Sequence, residues 1–388
     1  MKKNISILGS TGSIGLTTLS IVEKKKDLRI LLLAAKKNYK LIIKQINKYN
    51  PKYFIVTDKK TFLRVKKNKN IKTKIFNTFN FSKIKKKLDT VVSAIPGLEG
   101  LEPTINVIKN SNRVLIANKE SIICGWNLIK KESKKHKTKI IPIDSEHFSI
   151  KQLLENHKLN EVEKIFITAS GGPFLKIKKS KFKKINVKDA IKHPKWRMGK
   201  KISVDSSTLM NKILELIEAH KIFKIPYNRL KVIIHPESLV HAIVRFKNGL
   251  VKFIYHETSM MIPIANAIFE KKLVIDNFFK FNLKKNVIDN LSFLEVDKHR
   301  FPVINIINKI EKLPSAPIIL NASNEILVDE FINEKIPFLA INQIILGILK
   351  NRNFKKYAVK DANNINQIKK IDTWARNETY KIIMRKYA

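Results

Sequence analysis

The chain has 388 residues, enough for two to three domains of about 150 residues each, and its 44% hydrophobic content excludes a globally disordered protein. One cysteine excludes a disulfide framework or a cysteine-rich metal cluster within the chain, and no apolar run approaches the roughly 18 residues of a membrane-spanning helix. The 77 Lys and Arg residues against 32 Asp and Glu residues give a net charge of +45, which excludes few partners but suits anionic ligands.

The N-terminal segment predicts a strand, a glycine-rich turn and a helix. Residues 5–8 are expected to form a buried strand and residues 14–24 a helix, joined by the turn Gly9-Ser10-Thr11-Gly12-Ser13-Ile14-Gly15. The whole chain has only 11 glycines, so three within this turn indicate backbone that tolerates no side chain. Such a turn presents the N–H groups of a helix N-terminus to a diphosphate, although a tight turn without a ligand stays an alternative.

The end of the second strand predicts which dinucleotide is bound. This strand is expected over residues 29–35 and is followed by Lys36, Lys37 and Asn38 instead of the acidic residue that binds the ribose 2′-hydroxyl of NADH. Cations and an amide can hold a 2′-phosphate, so we expect NADPH to be preferred over NADH. The alternative is that both lysines belong to the general lysine excess.

Alternating strands and helices continue to about residue 144. This alternation is typical of a doubly wound parallel sheet, which we assign to residues 1–144. Such sheets bind ligands beyond the carboxyl ends of their strands, where Asn118-Lys119-Glu120 and Asp144-Ser145-Glu146 stand in this sequence. The further strands are expected over residues 52–57, 90–95, 113–117 and 139–143.

Asp144 and Glu146 are candidate ligands of a divalent metal ion. They stand two residues apart after a strand, so extended backbone would present both carboxylates to one side. Carboxylate oxygens suit a hard cation such as Mg²⁺ or Mn²⁺. A solvated turn is the alternative interpretation of this short pattern.

The segment 205–220 is predicted to be one capped helix with a third carboxylate. Asn211 and Glu215 are spaced to share a helix face, and Lys212 stands beside them. Ser206 lies near the expected helix start, where a hydroxyl and free N–H groups could hold a phosphate. The alternative is an amphipathic core helix without a ligand.

Two further loops carry unusual residue types. Ser170 opens a Ser-Gly-Gly-Pro-Phe segment after an expected strand at 164–167, and its hydroxyl and the glycine backbone can approach an anion closely. The stretch from His193 to Lys201 is basic and includes Trp196, Met198 and Gly199. We interpret it as a lid over a phosphorylated substrate.

The order of these motifs resembles one known family. The motifs are GSTGSIG (9–15), ANKES (117–121), IDSEH (143–147), SGGPF (170–174), HPKWRMGKKISVDSSTLMNK (193–212), LELIEAH (214–220), HPESLVHAIVRF (235–246) and NASNEI (321–326). Together they are similar to those of the 1-deoxy-D-xylulose 5-phosphate reductoisomerase family, over most of the chain.

The resemblance implies an enzyme that uses NADPH and a divalent metal (Mn²⁺, Mg²⁺ or Co²⁺) to rearrange and reduce 1-deoxy-D-xylulose 5-phosphate, a phosphorylated sugar, to 2-C-methyl-D-erythritol 4-phosphate in non-mevalonate isoprenoid precursor biosynthesis. It also implies a homodimer. From the single cysteine and the lack of a long apolar run, we expect a cytoplasmic protein that binds no membrane, and we expect no specific nucleic-acid partner. The implied architecture is an α/β fold with a Rossmann-like NADPH-binding domain (1–144), an α/β catalytic domain with metal site and lid (145–270), a connector (271–300) and a C-terminal α-helical domain (301–388).

The resemblance also assigns residues to roles. The metal ligands are Asp144, Glu146 and Glu215. The catalytic residues are Lys119 and Glu146. The substrate-binding residues are Ser145, Ser170, His193, Trp196, Met198, Ser206, Asn211, Lys212 and Glu215. The cofactor-binding residues are Thr11, Gly12, Ser13, Ile14, Lys36, Lys37, Asn38, Asn118, Glu120 and Gly199.

Three departures from the family pattern and two rival functions remain. Lys36 stands where the family has a glycine, Phe148 where it often has an asparagine, and Ser259-Met260-Met261 replaces a more polar pattern. Another NADP-linked dehydrogenase on the same scaffold would reduce its substrate without rearranging it. A nucleic-acid-binding module would need basic residues interleaved with exposed aromatic residues on one face, and the sequence shows no such stripe.

Overall fold

The computed structural model describes residues 3–81, 84, 87–196, 199–270, 273–275 and 290–387. The strands are β1 (Lys3–Leu8), β2 (Leu28–Ala35), β3 (Tyr53–Val56), β4 (Lys74–Phe76), β5 (Leu88–Ser93), β6 (Ser111–Ile116), β7 (Lys139–Pro142), β8 (Val162–Ala169), β9 (Leu230–Ile234), β10 (Val240–Phe246) and β11 (Val251–Tyr255). The α-helices are α1 (Ser13–Glu23), α2 (Tyr39–Tyr49), α3 (Lys59–Lys66), α4 (Leu101–Ile108), α5 (Lys119–His136), α6 (Ser145–Leu153), α7 (Val187–Ala190), α8 (Lys200–Ser207), α9 (Met210–Phe223), α10 (Met261–Phe269), α11 (Ile306–Ile310), α12 (Ala316–Ile332), α13 (Phe338–Ile348), α14 (Phe354–Ala358) and α15 (Ile365–Tyr387).

The chain forms two compact units. Unit 1 comprises Met1–Ser121, Asn127–Ser145 and Ser259–Val287. Unit 2 comprises Ile122–Trp126, Glu146–Thr258 and Ile288–Ala388. The division into three functional domains and a connector stays a prediction.

Unit 1 is built on a seven-stranded parallel sheet in the order β4-β3-β2-β1-β5-β6-β7. Its strands are short runs of buried aliphatic residues, as expected for a parallel sheet covered on both faces. The strand order reverses at β1, which pairs with β2 on one side and β5 on the other, and this is where doubly wound sheets bind ligands. The predicted doubly wound fold is therefore confirmed, and the short edge strand β4 is an addition that the sequence did not indicate.

Two glycines of the β1–α1 turn are sterically required, and the third is not. A Cβ atom on Gly9, whose φ is +90°, would lie 2.5 Å from the Ala94 carbonyl oxygen, and a Cβ atom on Gly15 would lie 2.4 Å from the Gly9 carbonyl oxygen. A Cβ atom on Gly12 would meet only the Gly9 carbonyl oxygen, at an ordinary 3.5 Å. The prediction of backbone that tolerates no side chain is thus confirmed for Gly9 and Gly15 but not for Gly12.

A late segment of the chain returns to unit 1. Helix α10 packs against α1, and its Ile264 and Ile268 are fully buried in the same apolar core as Leu19 and Ile5. The helix is apolar on most of its surface, which explains why it is buried instead of lying on the surface.

Unit 2 combines a small mixed sheet with a group of helices. The sheet has the order β11-β10-β8-β9, in which β8 and β9 are parallel and the other pairs antiparallel. Helix α9 packs on β8 and β9, while α12 packs against α13, α15 and α8. The predicted helical character of the C-terminal region is confirmed by α11 to α15. None of the helices in the described ranges combines the length and the apolar character that crossing a membrane requires.

Two local predictions are wrong. The segment 205–220 is not one helix, because Leu209 adopts a left-handed conformation (φ +66°) that separates α8 from α9. Full burial of the Leu209 side chain stabilises a backbone conformation that leucine otherwise disfavours. Glu146 does not share extended backbone with Asp144, because α6 begins at Ser145 and places Glu146 in its first turn.

Candidate active site

Unit 1 contains a cleft of about 1390 Å³ at the carboxyl ends of β1, β2, β3 and β5. Of the predicted cofactor residues, Thr11, Gly12 and Lys36 line it. Ser13 and Ile14 form the first turn of α1, next to this lining. The cleft also contains residues that sequence reasoning did not single out, because nothing in their local pattern distinguishes them from loop residues: Thr57, Asn77, Asn80, Glu99, Glu102 and Asn106.

Two of the residues that follow β2, Lys36 and Asn38, already have partners within the protein. The Lys36 ammonium lies 2.8 Å from the Glu99 carboxylate, with both side chains largely exposed. Asn38 caps α2, because its side-chain oxygen accepts a hydrogen bond from the Leu41 N–H at 3.2 Å. Lys37 is exposed beside them.

Asn118 and Lys119 stand between β6 and α5. The Asn118 side-chain oxygen caps α5 by accepting from the Ser121 N–H, and its amide donates to the carbonyls of Ile95 and Gly97. The Lys119 ammonium lies 3.1 Å from the Asp144 carboxylate, which follows β7, and both side chains are largely buried. The adjacent parallel strands β6 and β7 thus bring the Lys119 ammonium and the Asp144 carboxylate together. Glu120, in the first turn of α5, is also buried.

In unit 2, two buried carboxylates share one ammonium group. The Lys212 Nζ atom donates to Glu146 of α6 and, at 2.6 Å, to Glu215 of α9, and Asn211 donates to the other oxygen of Glu215. Glu146 and Glu215 offer oxygen atoms within 4.8 Å of one another. Burial by itself would lower the pKa of the Lys212 ammonium, but attraction to the two carboxylates outweighs it, so its pKa lies above the ordinary value.

The fully buried side chain of His147 contacts α9 next to the carboxylate pair. The His147 Nε2 atom donates to the main-chain carbonyl of Glu215 at 3.0 Å, and its Nδ1 atom lies 3.4 Å from the carboxylate of Glu218. His147 follows Glu146 directly, so it connects the start of α6 to α9. Sequence reasoning assigned no role to His147 or Glu218, since neither the motif nor the spacing reveals that they meet.

Ser170 and His193 form a second polar group in unit 2. The His193 Nδ1 atom accepts from the N–H groups of Lys195 (3.2 Å) and Trp196 (2.9 Å), so the Nε2 atom must carry the proton of the neutral ring. This Nε2–H donates to Ser170 Oγ at 2.9 Å, and the Gly172 N–H donates to the same oxygen at 3.1 Å. The Ser170 hydroxyl can therefore donate its own proton to a ligand oxygen.

The environment keeps His193 neutral. Burial, together with the nearby charge of Lys212, lowers the pKa of His193 from 6.5 to about 4. The electrostatic effect of Lys212 also indicates that the Ser170–His193 group lies near the group around Lys212.

A glycine brings the Ser170 loop against the end of α8. Gly172 has a φ of +67°, and a Cβ atom there would lie 2.9 Å from the Ser206 carbonyl oxygen and 3.0 Å from Ser207 Cα. Only glycine permits this approach, which brings the Ser170 loop close to Ser206. Asp205, one residue earlier, accepts a hydrogen bond from the Asn324 amide at 2.6 Å, which attaches α8 to α12.

The expected lid is described only in part. His193 and Trp196 lie in a loop, and the Trp196 ring meets the His241 ring edge-on at a centroid distance of 5.8 Å. Gly199 precedes the first residue of α8. Met198 lies outside the described residues. Ser145 is buried at the start of α6.

Comparison with known proteins identifies the family. Three family models match: 1-deoxy-D-xylulose 5-phosphate reductoisomerase over residues 5–125, its C-terminal domain over residues 140–223, and the DXP reductoisomerase C-terminal domain over residues 256–378. A 1-deoxy-D-xylulose 5-phosphate reductoisomerase of Pelagibacter ubique is 47% identical over 96% of this chain and 97% of its own length.

Solved structures agree with this match. A DOX-P reductoisomerase in complex with NADPH, fosmidomycin and magnesium superimposes with a TM-score of 0.91 and 30% identity, covering 98% of each chain. The Zymomonas mobilis enzyme in complex with NADPH gives a TM-score of 0.88 and 29% identity, covering 99% of each chain. On the similarity of both sequence and structure over nearly its full length, this chain belongs to the 1-deoxy-D-xylulose 5-phosphate reductoisomerase family.

Proposed function

We propose that this protein converts 1-deoxy-D-xylulose 5-phosphate to 2-C-methyl-D-erythritol 4-phosphate with NADPH and a divalent metal ion, in the non-mevalonate route to isoprenoid precursors. The observation that carries the proposal is the buried pair Glu146 and Glu215, whose carboxylates both contact the ammonium of Lys212. The related structures that contain NADPH and magnesium support it.

The donor set fits a hard divalent cation. Glu146 and Glu215 supply buried carboxylate oxygens that require a compensating positive charge, and Asp144 stands two residues before Glu146 in the chain. We propose that these three carboxylates hold the metal. When bound, the metal would polarise the substrate carbonyl and stabilise the negative charge that develops during the rearrangement. Mg²⁺, Mn²⁺ and Co²⁺ all accept such ligands, with Mg²⁺ and Mn²⁺ the closest match to an all-oxygen site.

Lys119 is proposed to act next to the reacting end of the substrate. Its ammonium is held by Asp144 at 3.1 Å, so its position is fixed before substrate arrives. From there it can donate a hydrogen bond to a substrate oxygen and balance charge as a proton moves. Ser145, which lies between Asp144 and Glu146 in the chain, is proposed to bind the same end of the substrate.

The phosphate is proposed to bind at the other polar group of unit 2. Ser170, Ser206, Asn211 and Lys212 offer hydroxyl, amide and ammonium donors, and neutral His193 leaves the Ser170 hydroxyl proton available to a ligand oxygen. Binding energy from a phosphate that does not react can stabilise closure over the reacting carbons and exclude water. Trp196 and Met198 are proposed to cover the substrate in the closed state.

NADPH is proposed to bind in the cleft of unit 1. The turn before α1 would face the diphosphate with Thr11, Gly12, Ser13 and Ile14, although the Gly12 N–H already donates to the Gly9 carbonyl oxygen at 3.1 Å. Lys36, Lys37 and Asn38 follow β2, and we propose that they bind the 2′-phosphate. Asn118, Glu120 and Gly199 remain proposed contacts of the same cofactor. NADPH would supply the hydride that reduces the aldehyde after rearrangement.

We also propose that the working form is a homodimer located in the cytoplasm. Light scattering of the purified protein tests the dimer, because it measures the molar mass in solution.

Turnover of the purified enzyme tests the function. NADPH oxidation, followed by its absorbance, should require both 1-deoxy-D-xylulose 5-phosphate and a divalent metal, and a chelator should abolish it. Replacing Glu215 with Gln (Glu215→Gln) should lower kcat by about 100-fold or more, because a charged metal ligand becomes neutral. Glu330→Gln on α12 removes another buried carboxylate, one paired with Lys335, and serves as the matched control. Normal turnover by Glu215→Gln, or NADPH oxidation without product rearrangement, would contradict the proposal.

A further inference from the structure

We propose that Lys212 is a displaceable internal cation that couples metal binding to phosphate binding. Its ammonium donates to both Glu146 and Glu215, and a divalent ion that took over these carboxylates would release the ammonium to the phosphate. This inference rests on the proposed function and concerns the order and coupling of its binding steps.

The contacts of Lys212 are those of a counter-ion inside the metal site. Its Nζ atom donates to both carboxylates at once, and the side chains of Lys212, Glu146 and Glu215 are exposed by only 10%, 11% and 2%. Two buried carboxylates within a few ångströms of one another repel unless a cation compensates them. Lys212 supplies that cation from within the chain.

A divalent ion and the ammonium cannot both occupy this position. The metal carries twice the charge and takes up the same carboxylate oxygens that accept the hydrogen bonds of Lys212. Once the metal is bound, the ammonium loses its acceptors and is repelled at short range by the ion, where the buried surroundings screen the repulsion weakly. The lysine side chain has four flexible carbon–carbon bonds and can turn to another anion.

A suitable destination is the polar group formed by Ser170, His193 and Ser206. The charge of Lys212 already acts on the His193 ring, whose Nε2–H donates to Ser170. Gly172 brings the Ser170 loop against Ser206, the end of the helix that precedes α9. These neutral donors provide hydrogen bonds for a phosphate but no charge, which the released ammonium would add.

Coupling of this kind must be reciprocal. If the metal frees Lys212 for a phosphate, the metal strengthens phosphate binding and the phosphate strengthens metal binding by the same factor. Couplings between sites are commonly about 5- to 150-fold, and we expect about 10-fold here.

Binding measurements without turnover test the proposal. Mn²⁺ affinity is measured from the electron paramagnetic resonance signal of free Mn²⁺, with and without inorganic phosphate, for the wild type, Lys212→Met and the control Lys221→Met. Lys221 lies on α9 as well, nine residues further along, so its replacement removes the same charge from the same helix outside the carboxylate pair. Lys212→Met should bind Mn²⁺ about 10-fold more tightly than the wild type and should lose the effect of phosphate, while Lys221→Met should behave as the wild type.

The wild type alone gives a second measurement if Lys212→Met does not fold. Inorganic phosphate, titrated calorimetrically with and without Mn²⁺, should bind about 10-fold more tightly with the metal. Equal or weaker Mn²⁺ binding by Lys212→Met would overturn the proposal, as would phosphate binding by the wild type that ignores the metal. Either result could occur in an enzyme that turns over normally, so failure of this inference is distinguishable from failure of the proposed function.

Discussion

His193 shows how backbone contacts select the protonation state of a single side chain. Two main-chain N–H groups donate to its Nδ1 atom, and burial with the nearby Lys212 charge lowers its pKa to about 4. If the His193 ring were protonated, the proton on Nδ1 would face the two main-chain N–H groups that now donate to this atom. The folded protein therefore resists protonation of His193. The neutral ring can therefore hold Ser170 in one orientation at neutral pH.

This pKa predicts a pH dependence of stability. The unfolded chain takes up a proton on His193 near pH 6.5, whereas the folded protein does so only near pH 4, so the unfolded state binds more protons between these values. The stabilisation is fully present above pH 6.5 and is lost as the pH falls toward 4. His193→Gln keeps a donor near Ser170 without a titrating group. Its urea midpoint should therefore fall less than that of the wild type between pH 7 and pH 4.5; parallel pH profiles would contradict the shift.

Single residues also show what the sequence could predict about the site. The residue types and motif order pointed to Glu146, Lys212 and Glu215, and the family match agrees with the enzyme predicted from them. That Lys212 would contact both carboxylates, or that His147 would meet Glu218, could not be predicted. These contacts depend on how α6 and α9 pack, and residue spacing within one segment carries no information about that packing.

Among the secondary-structure elements, the β1–α1 turn separates two reasons for a glycine. Gly15 permits close packing of the helix start against the Gly9 carbonyl, because a Cβ atom would come within 2.4 Å of that oxygen. Gly12 has no such protein neighbour, yet it lines the cleft of unit 1. Its lack of a side chain would permit the close approach of a ligand that the proposed diphosphate position requires.

Replacement by alanine is expected to affect cofactor binding at Gly12 and stability at Gly15. Gly12→Ala should leave thermal stability within a few tenths of a kcal/mol of the wild type, because its φ is ordinary, but should weaken NADPH binding by about 10-fold through contact with the diphosphate. Gly15→Ala should lower stability by about 1–3 kcal/mol, since the helix start must shift. Calorimetric NADPH titration and thermal melts measure both effects. Normal NADPH binding by a stable Gly12→Ala variant would remove Gly12 from the cofactor site.

The elements themselves were predicted with uneven success, for physical reasons. The strands of unit 1 are continuous buried aliphatic runs that differ clearly from their surroundings, so β1, β2, β5, β6 and β7 were predicted within about two residues of their observed ends. The break at Leu209 was missed because the local apolar period continues through it, and only burial in the folded protein stabilises a leucine with φ +66°. The return of α10 to unit 1 depends on long-range packing in the same way.

The molecule as a whole carries a charge that no single site explains. The 77 basic residues outnumber the 32 acidic residues by more than two to one, and the net repulsion among them opposes the compact state. Asp144, Glu146 and Glu215 are acidic residues with defined lysine partners. The excess charge attracts anionic ligands without specifying them, and the functional site therefore has to provide selectivity through placed donors.

Self-repulsion predicts that salt stabilises this protein. The screening length falls from about 30 Å at 0.01 M ionic strength to about 10 Å at 0.1 M, so repulsion between surface lysines weakens most over that range. The urea midpoint should therefore rise as KCl increases from about 0.01 M to 0.2 M and then level off, because screening approaches completion. A linear rise that continued to 1 M would indicate a general salt effect instead of screening. A midpoint that stayed constant or fell over the first range would show that the net charge of +45 does not limit the stability of the fold.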